Sequence, residues 1–155
     1  MVYICTMQDQ HPYTLNLKPN PMNRSYLNNT IKTLAEAKGY NFHHSESQHF
    51  AEQIKGYPTI VLEPPKFIEM EGRRHGKVSY SIRLHAMEEG AKLTADARNV
   101  AYARLEADLI EILLQLSKEK LIICVESLQI SCSNAQLTPN CEVAATATAK
   151  IITMF

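Results

Sequence analysis

From Val78 to Ala86 the chain alternates without a break: Val78, Tyr80, Ile82, Leu84 and Ala86 take one side, and Ser79, Ser81, Arg83 and His85 take the other. Successive side chains of an extended backbone point to opposite faces, so this run buries its apolar half only as a β-strand with one covered face. A helix would scatter the same residues around its circumference. The pattern is that of an antiparallel sheet packed on helices across one face, the other face being solvated or in contact with another subunit.

The covering elements are also visible. Thr94 is placed to cap a helix running to about Leu116, in which Ala97, Ala101, Leu105, Leu109 and Leu113, with Val100, Ile112 and Leu116, form a wide apolar face. At about 1.5 Å per residue it is roughly 33 Å long, enough to span a small domain. A shorter helix is expected from Ser25, capped by Ser25 or Asn23, with Leu27, Ile31 and Leu34 as its stripe and Gly39 as a left-handed C-cap.

Tyr57 to Glu63 is rich in β-formers and stops at Pro64 and Pro65, which cannot donate to a ladder. Lys66 to Glu71 follows as a short strand, and Gly72 to Gly76 supplies the turn into the alternating run. Leu121 to Cys132 and Glu142 to Phe155 form a C-terminal hairpin around the loop Ser133 to Cys141. In its last strand Val143, Ala145, Ala147, Ala149, Ile151 and Phe155 share one face, and Thr146, Thr148 and Lys150 the other. Asn41 to Gly56 is polar and histidine-rich, and is expected to be a connecting loop with at most a helical turn around Phe50 to Ile54.

Residues 1 to 21 contain Pro12, Pro19 and Pro21 and no helical period, which marks an extended arm, or an extension upstream of a start at Met22. Residues 22 to 155 then make a single α+β domain: a mostly antiparallel sheet of about four to five strands packed on two helices, in the order arm-α-β-β-β-α-β-β. A chain of 155 residues, 45% hydrophobic, suits one such domain.

Charge and length limit the partners. Sixteen Lys plus Arg balance sixteen Asp plus Glu, so no global field draws the chain to nucleic acid or an anionic membrane. The longest apolar runs, Leu109 to Leu116 and Leu121 to Val125, fall far short of the roughly 20 residues of a membrane span. Met1 to Gln10 has no basic flank and apolar segment of a secretory signal, which implies a cytoplasmic chain with reduced thiols. Cys5, Cys124, Cys132 and Cys141 form no C-x-x-C pair, and Cys132 and Cys141, though able to face each other across a loop, are not expected to form a disulfide there.

No catalytic, cofactor or metal residue is expected. His43, His44 and His49, even with His75 or His85, are not spaced to share a face, and no aspartate accompanies them. Asp108 and Glu111 lie at i,i+3 on the long helix, but Arg104 four residues before Asp108 makes an exposed ion pair the better reading. Cys124 sits in an apolar strand, where a raised thiol pKa suits packing rather than nucleophilic attack. The Ser elbow, phosphate loop and dinucleotide fingerprint are all absent, and five glycines leave little to build them.

Surfaces are therefore the candidates. Arg73, Arg74 and Lys77, with His75, make a basic hairpin tip beside Glu63, Glu69 and Glu71. Ser79, Ser81 and Arg83 line the polar side of the alternating strand, and Thr146, Thr148 and Lys150 that of the last strand. The basic tip allows at most incidental DNA contact, since there is no tryptophan and no aromatic platform.

The succession of an early helix, the strand Tyr57 to Glu63 with its following hairpin, the helix Thr94 to Leu116 and the strand pair ending in Ala144 to Phe155 resembles the tail terminator and tail-completion proteins of long-tailed bacteriophages. The resemblance covers Met22 to Phe155 as an overall pattern without a diagnostic motif. It implies a structural, non-enzymatic virion protein of a phage or prophage that forms a ring, commonly hexameric. Its partners would be tail-tube or head-completion proteins, met in the host cytoplasm during assembly and then in the virion tail. The 21-residue arm departs from the family's pattern. Two other classes are a non-viral oligomeric protein-binding module, acting through the arm or the open sheet face, and, further off, a small enzyme with a site assembled from distant residues.

Overall fold

A computed structural model describes residues 22–72, 75–133 and 141–155. The expected arm, the tip residues Arg73 and Arg74, and most of the loop before Cys141 lie outside the described residues. The order is α1 (Met22–Ala37), β1 (Asn41–His44), a 3₁₀ turn (Ser47–His49) running into α2 (Phe50–Gln53), β2 (Thr59–Leu62), β3 (Lys66–Gly72), β4 (Gly76–Glu88), α3 (Ala95–Leu116), β5 (Ile122–Ser133) and β6 (Val143–Met154). The fold is α+β. One mixed six-stranded sheet runs β1-β2-β4-β6-β5, with β3 paired to β4.

β4 is the spine. Its first half pairs with β3, its second half with β2, and its whole length with β6 on the other side. Its apolar set, Val78, Tyr80, Ile82, Leu84 and Ala86, joins Ala145, Ala147, Ala149 and Ile151 of β6 in the main core. Against that floor lie Leu27, Ile31 and Ala35 of α1 and Ala101, Leu105, Leu109, Ile112, Leu113 and Leu116 of α3. The alanines of β6 keep the floor low, so α3 packs close to it.

The Thr94 hydroxyl accepts from the Ala97 amide, giving α3 the expected N-cap, and Asp96 in the first turn complements the positive end of the helix. Gly39 ends α1 with φ +85°, where a side chain would be strained. The β3–β4 ladder closes at Gly72 and Gly76, and a Cβ on Gly76 would come within 2.4 Å of the Phe155 ring.

Several expectations need correction. The segment expected as a loop contains β1, which pairs in parallel with β2 from Asn41 opposite Thr59 to His44 opposite Leu62. The helical turn near Phe50 is α2, and it covers part of the face expected to be open. Phe50, Ile54, Val61, Met87 and Ala144 form a second small core there, so β2 is buried on both sides. The first helix begins at Met22, and the Asn23 side chain does not cap it but donates to Thr153 Oγ1 at 3.2 Å. Val100 does not join the apolar face of α3 that meets the sheet, being 66% exposed.

Candidate interaction surface

The alternation that buries one side of β4 and β6 delivers the other side as a contiguous polar face. Arg83 stands opposite Thr148, Ser81 opposite Lys150, and His85 opposite Thr146, with Lys77 at the far end opposite Met154. β3 adds Lys66 opposite Ser81 and Glu69 opposite Ser79. β5 adds Glu126, Gln129 and Ser131 opposite Lys150, Thr148 and Thr146. Thus Ser79, Ser81, Arg83, Thr146, Thr148 and Lys150, expected as a surface from two separate strands, share one face. Ser79 is almost closed off from solvent, whereas Arg83 is exposed.

Lys150 Nζ donates to Glu69 Oε1 at 2.9 Å across the top of β4. The contact holds the Glu69 carboxyl below its ordinary range and Lys150 above its own, the hydrogen bond being the main cause of each. Both groups are solvated and water screens their attraction, so the pair orders the face more than it stabilises the fold.

Where α2 overhangs the face, the polar row closes around His85. Its Nε2 lies 2.9 Å from Glu63 Oε1, its Nδ1 lies 2.9 Å from Thr146 Oγ1, and the Phe50 ring stands edge-on at 5.0 Å. A carboxylate only accepts, so Nε2 carries the proton toward Glu63 and Nδ1 accepts from the Thr146 hydroxyl. Burial lowers the imidazole pKa, opposed by the Glu63 contact and reinforced by Arg83. Hydroxyl, imidazole and carboxylate in series have the order of a nucleophile, a base and an orienting acid. Here Phe50 covers the ring, and the amides of β4 and β6 around it are committed to the ladder rather than aimed at a reacting oxygen. The arrangement is a clamp between β2, β4 and β6. The residue-by-residue reading of the sequence missed it, since its members are far apart in the chain; the one signal was a histidine on the polar side of the clearest strand.

A second polar group lies at the end of the helical layer. Lys38 donates to Asp108 at 2.8 Å and to Glu111 at 2.7 Å, and the Tyr40 hydroxyl donates to the second Asp108 oxygen at 2.6 Å. Arg104 grips the Glu88 carboxylate with two donors. The expected Arg104 to Asp108 pair along α3 is therefore replaced by tertiary partners on β4 and on the segment between α1 and β1. For Asp108, burial acts to raise the pKa but the bonds from Lys38 and Tyr40 outweigh it, leaving the carboxyl below its ordinary value. Tyr40 is pushed well up, by burial first and then by Asp108. Lys38, Tyr40, Glu88, Arg104 and Asp108, with Tyr57, Pro58 and Glu89, line an open cleft of about 440 Å³. Its two cations, Lys38 and Arg104, face three carboxylates, Glu88, Glu89 and Asp108, and the buried Tyr57 hydroxyl has no hydrogen-bond partner among the described residues.

In the hairpin of β3 and β4, β3 leaves its apolar side chains in solvent. Every residue of β3 is exposed, with Phe67 at 60%, Ile68 at 45% and Met70 at 56%. The Phe67 and Tyr80 rings meet in a T-shaped arrangement, ring centres 6.4 Å apart. The outer edge of β3 has no strand beside it among the described residues, and neither does that of β5, which exposes Ile123 and Leu128 on the opposite side of the sheet.

The histidines of the polar segment separate, His43 and His44 onto β1 and His49 onto the 3₁₀ turn, where it lies 3.7 Å from Glu52. No group of three or more His, Cys, Asp or Glu among the described residues is arranged to hold a metal ion. Cys124 and Cys132 are free thiols, and burial raises the pKa of both. No helix among the described residues is long and apolar enough to cross a membrane. Compared with known proteins, the chain matches no family model and no curated protein.

Proposed function

We propose that this chain is a structural subunit that assembles with copies of itself through its sheet edges, as a ring-forming tail terminator or head–tail joining protein of a tailed phage or prophage does. The observation that carries the reading is β3, a seven-residue strand exposed along its whole length that presents Phe67, Ile68 and Met70 to solvent. An apolar edge strand left bare invites pairing with another chain, and native proteins blunt such edges unless the edge is used.

The edges of β3 and β5 that have no strand beside them among the described residues bound opposite sides of the same sheet. Joining the β3 edge of one subunit to the β5 edge of the next is a head-to-tail contact, which closes into a ring when the rotation per subunit divides a full turn. Backbone pairing along the added strand supplies affinity, and the apolar side chains of β3 supply register. The polar face of Ser81, Arg83, Thr148 and Lys150 then repeats around the ring as a surface for a tail-tube or head-completion protein. Such a subunit needs no catalytic group or cofactor, and works first in the host cytoplasm and then in the virion tail.

Electron microscopy of the purified full-length chain, alone and mixed with tail-tube subunits, tests the assignment. Rings of uniform diameter, formed alone or on tube ends, are the expected result. A chain that stays monomeric and ignores tube subunits would contradict it.

A further inference from the structure

Helix α3 carries two apolar faces. The first, Ala101, Leu105, Leu109, Ile112, Leu113 and Leu116, is buried on the sheet. The second points away from it: Val100, Ala103, Ala107, Ile110 and Leu114 recur at intervals of three and four, with Val100 66% and Leu114 57% exposed, Ile110 37%, and both alanines exposed. Alternating threes and fours keep a residue set on one seam when two helices wrap around each other. At about 1.5 Å per residue the seam runs for about 21 Å. Solvent-facing helix positions normally carry polar side chains, so a second seam opposite the first calls for a partner.

The charges beside the seam state which partner. Arg104 and Glu111 are one heptad apart on one flank, and Glu106 lies on the other. When a copy of the helix runs antiparallel, like flanks face each other: Arg104 meets Glu111 of the partner subunit at both ends of a two-fold axis, two opposite-charge contacts against the single like-charge approach of Glu106 to the partner's Glu106 beside the axis. When the copy runs parallel, opposite flanks meet and Glu106 faces the partner's Glu111, two like charges. The antiparallel pair also stacks Val100 on the partner's Leu114 and sets Ala107 against its own equivalent, where small side chains let the axes approach toward the short end of the usual 8–10 Å or so. Arg104 already holds Glu88, and Glu111 already holds Lys38. Both long side chains remain more than half exposed, so the contact links Glu88, Arg104, the partner's Glu111 and the partner's Lys38 into a chain of alternating sign.

We propose that α3 is a two-fold docking surface for a second copy of this chain, packed antiparallel about Ala107. The contact is isologous and uses neither the hairpin nor the sheet edges, so it does not rest on the ring assignment.

Sedimentation equilibrium of the full-length chain tests it. Val100→Glu combined with Leu114→Glu is expected to halve the assembly mass, whatever multiple the parent chain forms, with an unchanged circular dichroism spectrum. A mixture of Val100→Cys and Leu114→Cys chains under mild oxidation is expected to give a disulfide between position 100 and position 114 in peptide mapping. Three results would overturn the proposal: a mass the glutamates do not change, a parent chain that is monomeric at all concentrations because some other segment covers the seam, or a position 100 to position 100 crosslink in place of the mixed one.

Discussion

His85 and Glu63 face each other at 2.9 Å across the join of β4 and the end of β2, with Thr146 on the second imidazole nitrogen and Phe50 over the ring. The clamp holds the crossover between β1 and β2 onto a sheet face that is otherwise solvated.

Because burial lowers the His85 pKa from its ordinary 6.5, the folded chain binds this proton less readily than the unfolded chain. The unfolded state therefore takes up more protons in the interval just below pH 6.5, and stability rises with pH there. The stabilising effect is fully present above pH 6.5 and is lost as pH falls toward the folded value. Urea midpoints at pH 7.5 and 5.5 are expected to show the acid-side fall in the parent chain and a flatter profile in His85→Gln. Asp108, whose pKa is held down, acts in a separate window below its ordinary 3.8.

Glu63→Ala leaves Nε2 of the buried imidazole without an acceptor. A lost hydrogen bond to a charged group costs about 1.5–3 kcal/mol, and equilibrium urea unfolding at pH 7.5 is expected to show a loss in that range. Hydrogen exchange should quicken first in the 46–57 segment that the clamp holds down.

Asp108 gathers Lys38 and Tyr40 from outside α3. Removing it in Asp108→Ala strands a half-buried hydroxyl and an ammonium, with an expected loss of about 1–3 kcal/mol in the same assay. Tyr40→Phe removes one bond only and should cost about 1 kcal/mol. Equal losses in the two variants would contradict the shared role of Asp108.

Leu105 and Leu109 are fully buried where α3 meets the alanine floor of β6. Truncating either to alanine opens a cavity between two rigid layers, and a loss of about 2–5 kcal/mol is expected in thermal or urea unfolding.

The elements with a clear period were legible before the fold was known. The alternation of Val78 to Ala86 fixed the two faces of β4, and the Thr94 cap and leucine spacing fixed α3. β1 was not legible, because Asn41, Phe42, His43 and His44 do not alternate and their partner in the ladder is 18 residues away, at Thr59 to Leu62. The ion pairs of Arg104 and Asp108 were misassigned for the same reason: helix spacing suggests a local partner, and the lower-energy partners, Glu88 and Lys38, arrive only through tertiary packing. Val100 was placed with the sheet-facing leucines because apolar residues on a helix of this kind belong to two stripes, and composition alone does not separate them. The polar face of Ser81, Arg83, Thr148 and Lys150 was read strand by strand; only the register of β4 and β6 brings it together.

The most direct test of assembly through the hairpin is the mass and shape of the full-length chain carrying Phe67→Glu and Met70→Glu, followed by sedimentation velocity and negative-stain electron microscopy. Both side chains are exposed, so the variant should keep its circular dichroism spectrum and melting temperature. The expected result is a folded protein that forms rings as the parent chain but, once substituted, sediments as nothing larger than a dimer. A substituted chain that still closes into the parent's rings would contradict the claim that β3 is the assembling edge.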